Sequence, residues 1–332
     1  MHPPTTTRRA FLRRAGSTVL LVSGASAVVA GCSDDDGSPR GGHSASAAAT
    51  DDSSDEAAAA RALRDTTRLA ATYDAVMAKH RDLRPTLRPL RADLEEHMDV
   101  LSGALGDSGT QRGRAASVPR SATAAQQQLA ADEAVAVRRR RRDAIQVESG
   151  DLARLLGSIA ACHAQHRTLL GRGGKHKQPA APDPASIRIN SKPVVDAMNE
   201  TLAGEHAAIY AYGVIGGRLD IDSTPVAEAA DAIDVHQARR DALTALVESA
   251  GETPVAAEPG YLLPSDVVNV ATARKTAQTV EDRCGVLYAT LAATATDEIR
   301  AYAVDALIDS ATRALEWDAP GSALPGLSDA KS

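Results

Sequence analysis

One stripe of residues in the C-terminal part of the chain recurs at steps of three and four without a break: Val195, Met198, Leu202, Glu205, Ile209, Tyr212, Gly216 and Leu219. That period belongs to an α-helix with one buried face and excludes a half-buried strand, whose period is two. The spacing predicts a helix over 193–219, opened by Pro193, with the carboxylate of Glu205 facing inward. A second stripe, Val226, Ala229, Ile233, His236, Arg240, Leu243 and Val247, follows Thr224 as cap and Pro225 in the first turn. It turns His236 and Arg240 inward. A third helix, opened by Ser265 after Pro264, carries Val270, Ala273, Ala277, Val280, Cys284, Leu287 and Leu291, with Glu281 on the shoulder. A fourth, starting at Thr296, buries Val304, Leu307, Ile308, Ala311 and Leu315. The connections 220–223 and 292–295 are short and make antiparallel pairs, whereas 251–264 is longer and holds Pro254, Pro259 and Gly260. Together these form a four-helix bundle over 190–318.

Composition extends the all-α reading to the whole chain. With one Phe, one Trp and six Tyr in 332 residues, it lacks the aromatics that strands favour, while its alanine, leucine and arginine suit helices. A linker at 171–189, rich in Gly and Pro, separates the C-terminal bundle from a second helical domain at 55–170. There, helices are expected at 56–83 and 86–105, broken at Arg84-Pro85, with a stripe of Leu87, Leu90, Leu94, His97 and Leu101. The stretch 124–170 is helical in composition with a break at Ser149-Gly150-Asp151, which leaves three or four helices open. The run Arg138 to Arg142 reads as a solvated helix face, with anionic lipid headgroups as the less favoured partner. Residues 319–332 read as a disordered tail.

The first 31 residues hold four arginines, no acid and a largely apolar stretch from position 16, the layout of an export signal. Thr7-Arg8-Arg9-Ala10-Phe11-Leu12 resembles a twin-arginine signal, and Val29-Ala30-Gly31-Cys32 resembles a bacterial lipobox that leaves Cys32 as the lipidated first residue. Removing the signal leaves a net charge of −10, against −6 for the whole chain, and this acidity argues against a nucleic-acid partner. The segment 32–54, rich in Ser, Asp, Gly and Ala, is the expected flexible tether. The implied address is extracytoplasmic, on the outer face of the cell membrane, with the lipid as the membrane contact; the sequence identifies no protein or envelope partner. Cys162 and Cys284 sit in apolar helical patterns and read as buried free thiols rather than a disulfide.

Glu205, His236 and Glu281 lie near the middles of three successive helices, so antiparallel packing brings them to one height. That is how bundles build internal metal sites, and a divalent ion such as iron, manganese or zinc would satisfy all three. A two-metal carboxylate centre, however, needs Glu-x-x-His pairs, and the residue three before His236 is Ile233. The competing reading is a buried polar network of Glu205, His236, Arg240 and Glu281 that fixes helix register without metal. His206, beside Glu205, points about 100° away around the helix. In the N-terminal domain His80, His97, His163 and His166 invite a zinc site with Glu133, against a default of satisfied or surface histidines.

Leu202-Ala203-Gly204-Glu205-His206-Ala207-Ala208-Ile209-Tyr210-Ala211-Tyr212-Gly213, then His236-Gln237-Ala238-Arg239-Arg240-Asp241 and Tyr261-Leu262-Leu263-Pro264, resembles the actinobacterial ferritin-like family described as domain of unknown function 4439. The resemblance covers about residues 190–318 and implies a ferritin-like bundle with no assigned activity. No Gly-x-Ser-x-Gly, His-Glu-x-x-His or phosphate-binding glycine loop is present. The expected function is therefore a membrane-anchored lipoprotein with a non-enzymatic binding or cell-envelope role. The alternative is an exported metal-binding redox or metal-storage protein using the C-terminal carboxylate and histidine residues.

Overall fold

The computed structural model describes residues 46–106, 113–172, 179–220 and 223–327. The export signal, Cys32 and the first part of the expected tether lie outside the described residues. Among the described residues the chain is all-α, with eight α-helices and no strand: α1 (Ser46–Lys79), α2 (Arg84–Ala104), α3 (Ala122–Gln146), α4 (Gly150–Arg167), α5 (Lys192–Arg218), α6 (Thr224–Ser249), α7 (Val270–Thr294) and α8 (Asp297–Glu316). The open question of three or four N-terminal helices resolves as four. The break falls at 147–149, where the Ser149 side chain caps α4 by accepting from the Leu152 amide.

Helix directions follow from side chains that meet at both ends. Tyr288 of α7 meets Glu205 of α5, and Tyr212 meets Glu281, so these two helices are antiparallel. Short connections make α5/α6 and α7/α8 antiparallel as well, which leaves α6 and α7 parallel and joined by the long connection 250–269. A single long crossover among four helices is the connectivity of ferritin-like bundles. The N-terminal helices repeat it. Asp55 of α1 accepts from the amides of Glu148 and Ser149 just past α3, while Tyr73 near the end of α1 meets Glu133 near the middle of α3. The long connection here is 105–121.

Several sequence expectations need correction. The third C-terminal helix starts at Val270 rather than at Ser265, because Asn269 and Thr272 form a reciprocal capping box. Ser223, not Thr224, is the N-cap residue of α6; Thr224 is its first helical residue. The expected tether is already helical from Ser46, where alanines take over from glycines. The tail is ordered through residue 327: Trp317 is buried, and Leu324 and Leu327 pack against the core, so residues 319–327 are part of the fold.

The two bundles share one hydrophobic core. Leu152, Leu155, Leu156 and Ile159 of α4 join it with Met198, Leu202, Leu243, Leu291, Val304 and Leu307 of the C-terminal helices. A smaller cluster around Tyr73, Leu87, Leu90, Leu94 and Leu129 belongs to the N-terminal bundle alone. The arginine run of α3 is a solvated face only in part: Arg138 and Arg142 are exposed, while the residues between them are paired. Arg140 is buried against Asp143 and Asp65, Arg139 pairs with Asp65, and Arg141 forks onto Asp305 of α8, clamping one bundle to the other.

Close approach at the interface relies on glycine. A Cβ on Gly150 would lie 2.1 Å from the backbone oxygen of Ala293, whereas one on Gly157 would make ordinary contact, 3.5 Å from a Val304 methyl. Gly150→Ala should therefore force α4 off α7 and cost about 1–3 kcal/mol. Gly157→Ala removes backbone freedom from the unfolded chain and should stabilise by about 0.5–1 kcal/mol. Denaturant midpoints moving in opposite directions for the two variants would bear this out; equal shifts would not.

Candidate functional site

In the C-terminal bundle the antiparallel register of α5 and α7 brings three of the sequence candidates together in a space closed to solvent. Glu205, His236 and Glu281 are all buried. His236 Nδ1 lies 2.6 Å from Glu205 Oε2, and Nε2 lies 3.3 Å from Glu281 Oε1. The remaining capacity of the carboxylates is largely taken by phenols: Tyr288 donates to Glu205 at 2.6 Å and Tyr212 to Glu281 at 2.7 Å. Glu205 and Tyr212 are seven residues apart on α5, as are Glu281 and Tyr288 on α7, so the two helices exchange identical Tyr-to-Glu bonds.

The fourth expected member is corrected. Arg240 is about one-third exposed and pairs with its neighbour Asp241; Arg239 turns inward instead. Steps of 236-240-243 and 236-239-243 both complete a heptad, so the sequence period does not decide which arginine is buried. Packing against α8 does. Arg239 donates to Asp309 at 2.6 Å and to the Ser310 hydroxyl at 3.0 Å, and its Nη1 lies 3.9 Å from Glu205. Its guanidinium also stands 5.3 Å from the centre of the Tyr288 ring. Arg313 completes the group by donating to Asp309 at 2.8 Å. His206, as expected, points elsewhere, to the Val255 carbonyl.

These contacts settle the charge state. Burial pushes the His236 imidazole toward neutrality, but the carboxylates of Glu205 and Glu281 reverse this and raise its pKa to about 9. Glu281 is held below the usual carboxylate range, burial being outweighed by the charge and hydrogen bond of His236. Three carboxylates, Glu205, Glu281 and Asp309, thus face three cations, His236, Arg239 and Arg313. The charges sum to zero, while Glu281 Oε2 and Arg239 Nε are left without a hydrogen-bond partner. A divalent ion replacing the His236 proton would leave a surplus positive charge beside a guanidinium that cannot deprotonate. Glu205, His236 and Cys284 do bring ligand atoms within 4.8 Å of one another, and burial pushes the Cys284 thiol well up. The C-terminal charges therefore balance without a divalent metal.

The N-terminal bundle holds a second cluster, whose register was not legible from sequence. Glu133 of α3, wholly buried, has His163 Nδ1 at 2.6 Å and His166 Nδ1 at 3.1 Å, and accepts from Tyr73 at 2.5 Å. His166 Nε2 lies 3.0 Å from Asp93 and 3.3 Å from the Cys162 sulfur. Burial opposes charge on His166, yet Cys162, Glu133 and Asp93 hold its pKa well above the usual value. Glu133 is held far below its ordinary range, with burial overcome by His166 and His163. His97, against His163 with ring centres 5.5 Å apart, has its pKa lowered to about 3, first by burial and then by His163. His80 is remote and sits by the Pro119 carbonyl. Cys162 and Cys284 are both buried free thiols.

The missed residues have one traceable signal. Glu133 and Glu281 each follow the first residue of their helix by 11 positions, and Tyr73 and Tyr212 each precede the last residue of theirs by 6. The tyrosine-to-glutamate bond is thus set at the same height in both bundles.

The raised pKa of His236 gives a pH signature. The folded value exceeds the unfolded value of about 6.5, so the stabilisation is fully present below pH 6.5 and disappears as pH rises through about 9. Unfolding free energy should fall by as much as about 3 kcal/mol across that window. His236→Gln should lower stability at pH 6 and flatten the fall, read from urea midpoints at half-unit pH steps. Arg239→Met should cost about 3–5 kcal/mol by leaving Glu205 and Asp309 short of positive charge. An unchanged midpoint would contradict the pairing.

Residues 197–329 match the family described as "Domain of unknown function (DUF4439)". The chain is also similar to the crystal structure of a conserved hypothetical protein from Mycobacterium tuberculosis, at 31% identity over 38% of this chain and 88% of that one, with a TM-score of 0.36. No curated protein matches the chain. Its C-terminal bundle, with the Glu205, His236 and Glu281 network at the centre, is therefore a domain of the DUF4439 family.

Proposed function

We propose that this chain is an exported, lipid-anchored helical protein whose C-terminal bundle is a non-catalytic support within a binding or envelope component. The observation that carries the non-catalytic half is Arg239. Its guanidinium, fixed between Glu205, Asp309 and Ser310, supplies a permanent positive charge to the buried carboxylates. The buried carboxylates are neutralised from within the bundle by Arg239, Arg313 and His236. What this arrangement supplies is register: each of the four helices contributes a charged group that finds its partner in one alignment only.

The anchoring half rests on the Arg8-Arg9 signal and on Cys32 at the end of Val29-Ala30-Gly31. No described helix is long and apolar enough to cross a membrane. Membrane attachment on this reading is through acyl chains on Cys32, each buried methylene contributing about 0.8 kcal/mol. Expressed in a bacterium with twin-arginine export, the wild-type chain should pellet with membranes, and Cys32→Ala should move to the soluble fraction. Retention of Cys32→Ala with the membranes would refute the lipid anchor.

A further inference from the structure

We propose that the N-terminal bundle contains a divalent transition-metal site, with zinc as the best-matched ion, built from Glu133, His163 and His166 and flanked by His97. This goes beyond the anchoring and support reading and does not depend on it.

Geometry comes first. One ligand atom from each of Glu133, His163 and His166 lies within 4.8 Å of the other two, and all three residues are buried. Both imidazoles turn Nδ1 to the same carboxylate, at 2.6 Å and 3.1 Å. Nitrogen and oxygen ligands about 2.0–2.2 Å from a tetrahedral zinc sit roughly 3.3 Å from one another. The three side chains therefore need only small shifts to admit an ion in place of the protons they now share.

A further imidazole, His97, packs against His163 with ring centres 5.5 Å apart. The nitrogen of His97 nearest the Ala323 carbonyl, Nε2, is 2.6 Å from it and must be the donor, because a carbonyl oxygen only accepts. The other nitrogen, Nδ1, then carries a lone pair, and in this wholly buried ring it has no hydrogen-bond partner. An imidazole oriented by a backbone carbonyl through one nitrogen and left open at the other is the usual preparation of a metal-binding histidine. His166 shows the same preparation: Asp93 takes Nε2 while Nδ1 faces Glu133.

Charge separates this cluster from the C-terminal one. Among the described residues, the ion pairs of Glu133 and Asp93 are made to His163 and His166 alone, with no arginine or lysine among them. Arg140, which borders a small cavity beside His163, is committed to Asp143 and Asp65. Two carboxylates with no permanent cation match the charge of one divalent ion bound by neutral imidazoles. On binding, the Nδ1 proton of His166 leaves for solvent, the Nδ1 proton of His163 is exchanged for one on its Nε2, and His166 keeps its Nε2 proton, donated to Asp93. A set of two imidazoles and a carboxylate suits zinc better than an ion such as magnesium or calcium, which takes an all-oxygen shell.

The test uses the full chain carrying Cys32→Ala, so that this thiol supplies no ligand, purified without chelator and titrated with Zn2+ and with Co2+. One equivalent of Zn2+ per chain should bind and raise the melting temperature. Co2+ should bind competitively and give the visible absorption of a low-coordinate site. Asp93→Asn, at a partly exposed position, should keep the stoichiometry while weakening zinc binding about 10–100-fold. Glu133→Gln should abolish binding, and circular dichroism reports whether it is folded. Absence of zinc binding by the parent chain overturns the proposal. So does unaltered affinity in Asp93→Asn, which is a milder change than Glu133→Gln, or unaltered affinity in a folded Glu133→Gln.

Discussion

The carboxylate of a buried glutamate is the constraint on which this fold turns. An ionised carboxylate inside protein is costly unless it is paired and hydrogen-bonded, and removing one partner of a buried pair leaves a penalty of several kcal/mol. Glu133, Glu205 and Glu281 each carry that requirement at the centre of a bundle. Each meets it across helices rather than along its own. Glu205 on α5 is satisfied from α6 and α7, and Glu281 on α7 from α5 and α6. A slip of one helix by a turn would break several of these bonds together. The aliphatic and alanine-rich stripes tolerate such a slip far better, since small apolar side chains pack in more than one register. Stability comes from the apolar core; uniqueness of alignment comes from the polar centre.

Much of the C-terminal architecture was legible because its helices are long and their stripes regular. The inward positions of Glu205 and His236 followed from period alone, as did the height match with Glu281. Arg240 marks the limit. Within one heptad a step of four then three and a step of three then four have the same apolar pattern, and only Asp309 and Ser310 on a non-adjacent segment select Arg239. Asp309 itself escaped notice because it lies beside the aliphatic stripe of α8 rather than on it. Helix starts failed for a local reason: Ser265 and Pro264 have the right composition for an opening turn, but Asn269 with Thr272 supplies two reciprocal bonds where Ser265 supplies none to the helix backbone. In the N-terminal bundle the obstacle was register. Three of the four buried apolar residues of α3 are alanine, with Leu129 the exception, which leaves the hydrophobic stripe too faint to orient Glu133.

The same connectivity gives two electrostatic solutions because different helices carry the cations. In the C-terminal bundle a permanent charge enters from α6 as Arg239 and is balanced from α8 by Asp309, which drives the centre toward a fixed, neutral lattice of ions. In the N-terminal bundle α4 contributes His163 and His166 instead, three residues apart on one face, and the positive charge is carried by protons that can leave. Arg239 keeps its charge across the accessible pH range, so in that centre only the His236 proton can leave. A centre neutralised by imidazolium can exchange protons for another cation without any helix moving.

The helix that supplies those histidines is also the one that joins the two bundles, and this links their properties. One face of α4 presents His163 and His166 to Glu133, while Leu152, Leu156 and Gly157 face the C-terminal core. Gln165, between the histidines, donates to the Ala311 carbonyl of α8, and its own oxygen accepts from the Ser322 amide. One residue further on, Ala323 provides the carbonyl that fixes the His97 tautomer. The segment after α8 therefore seals the N-terminal cluster from the other bundle's side. An aligned C-terminal bundle is a precondition for the N-terminal geometry, since any shift of α8 would carry Ala311 and the segment holding Ser322 and Ala323 with it. The rigid network of Glu205, His236, Arg239 and Glu281 thus acts at a distance through ordinary packing: it holds α8 in place, and α8 with its trailing segment holds the histidines.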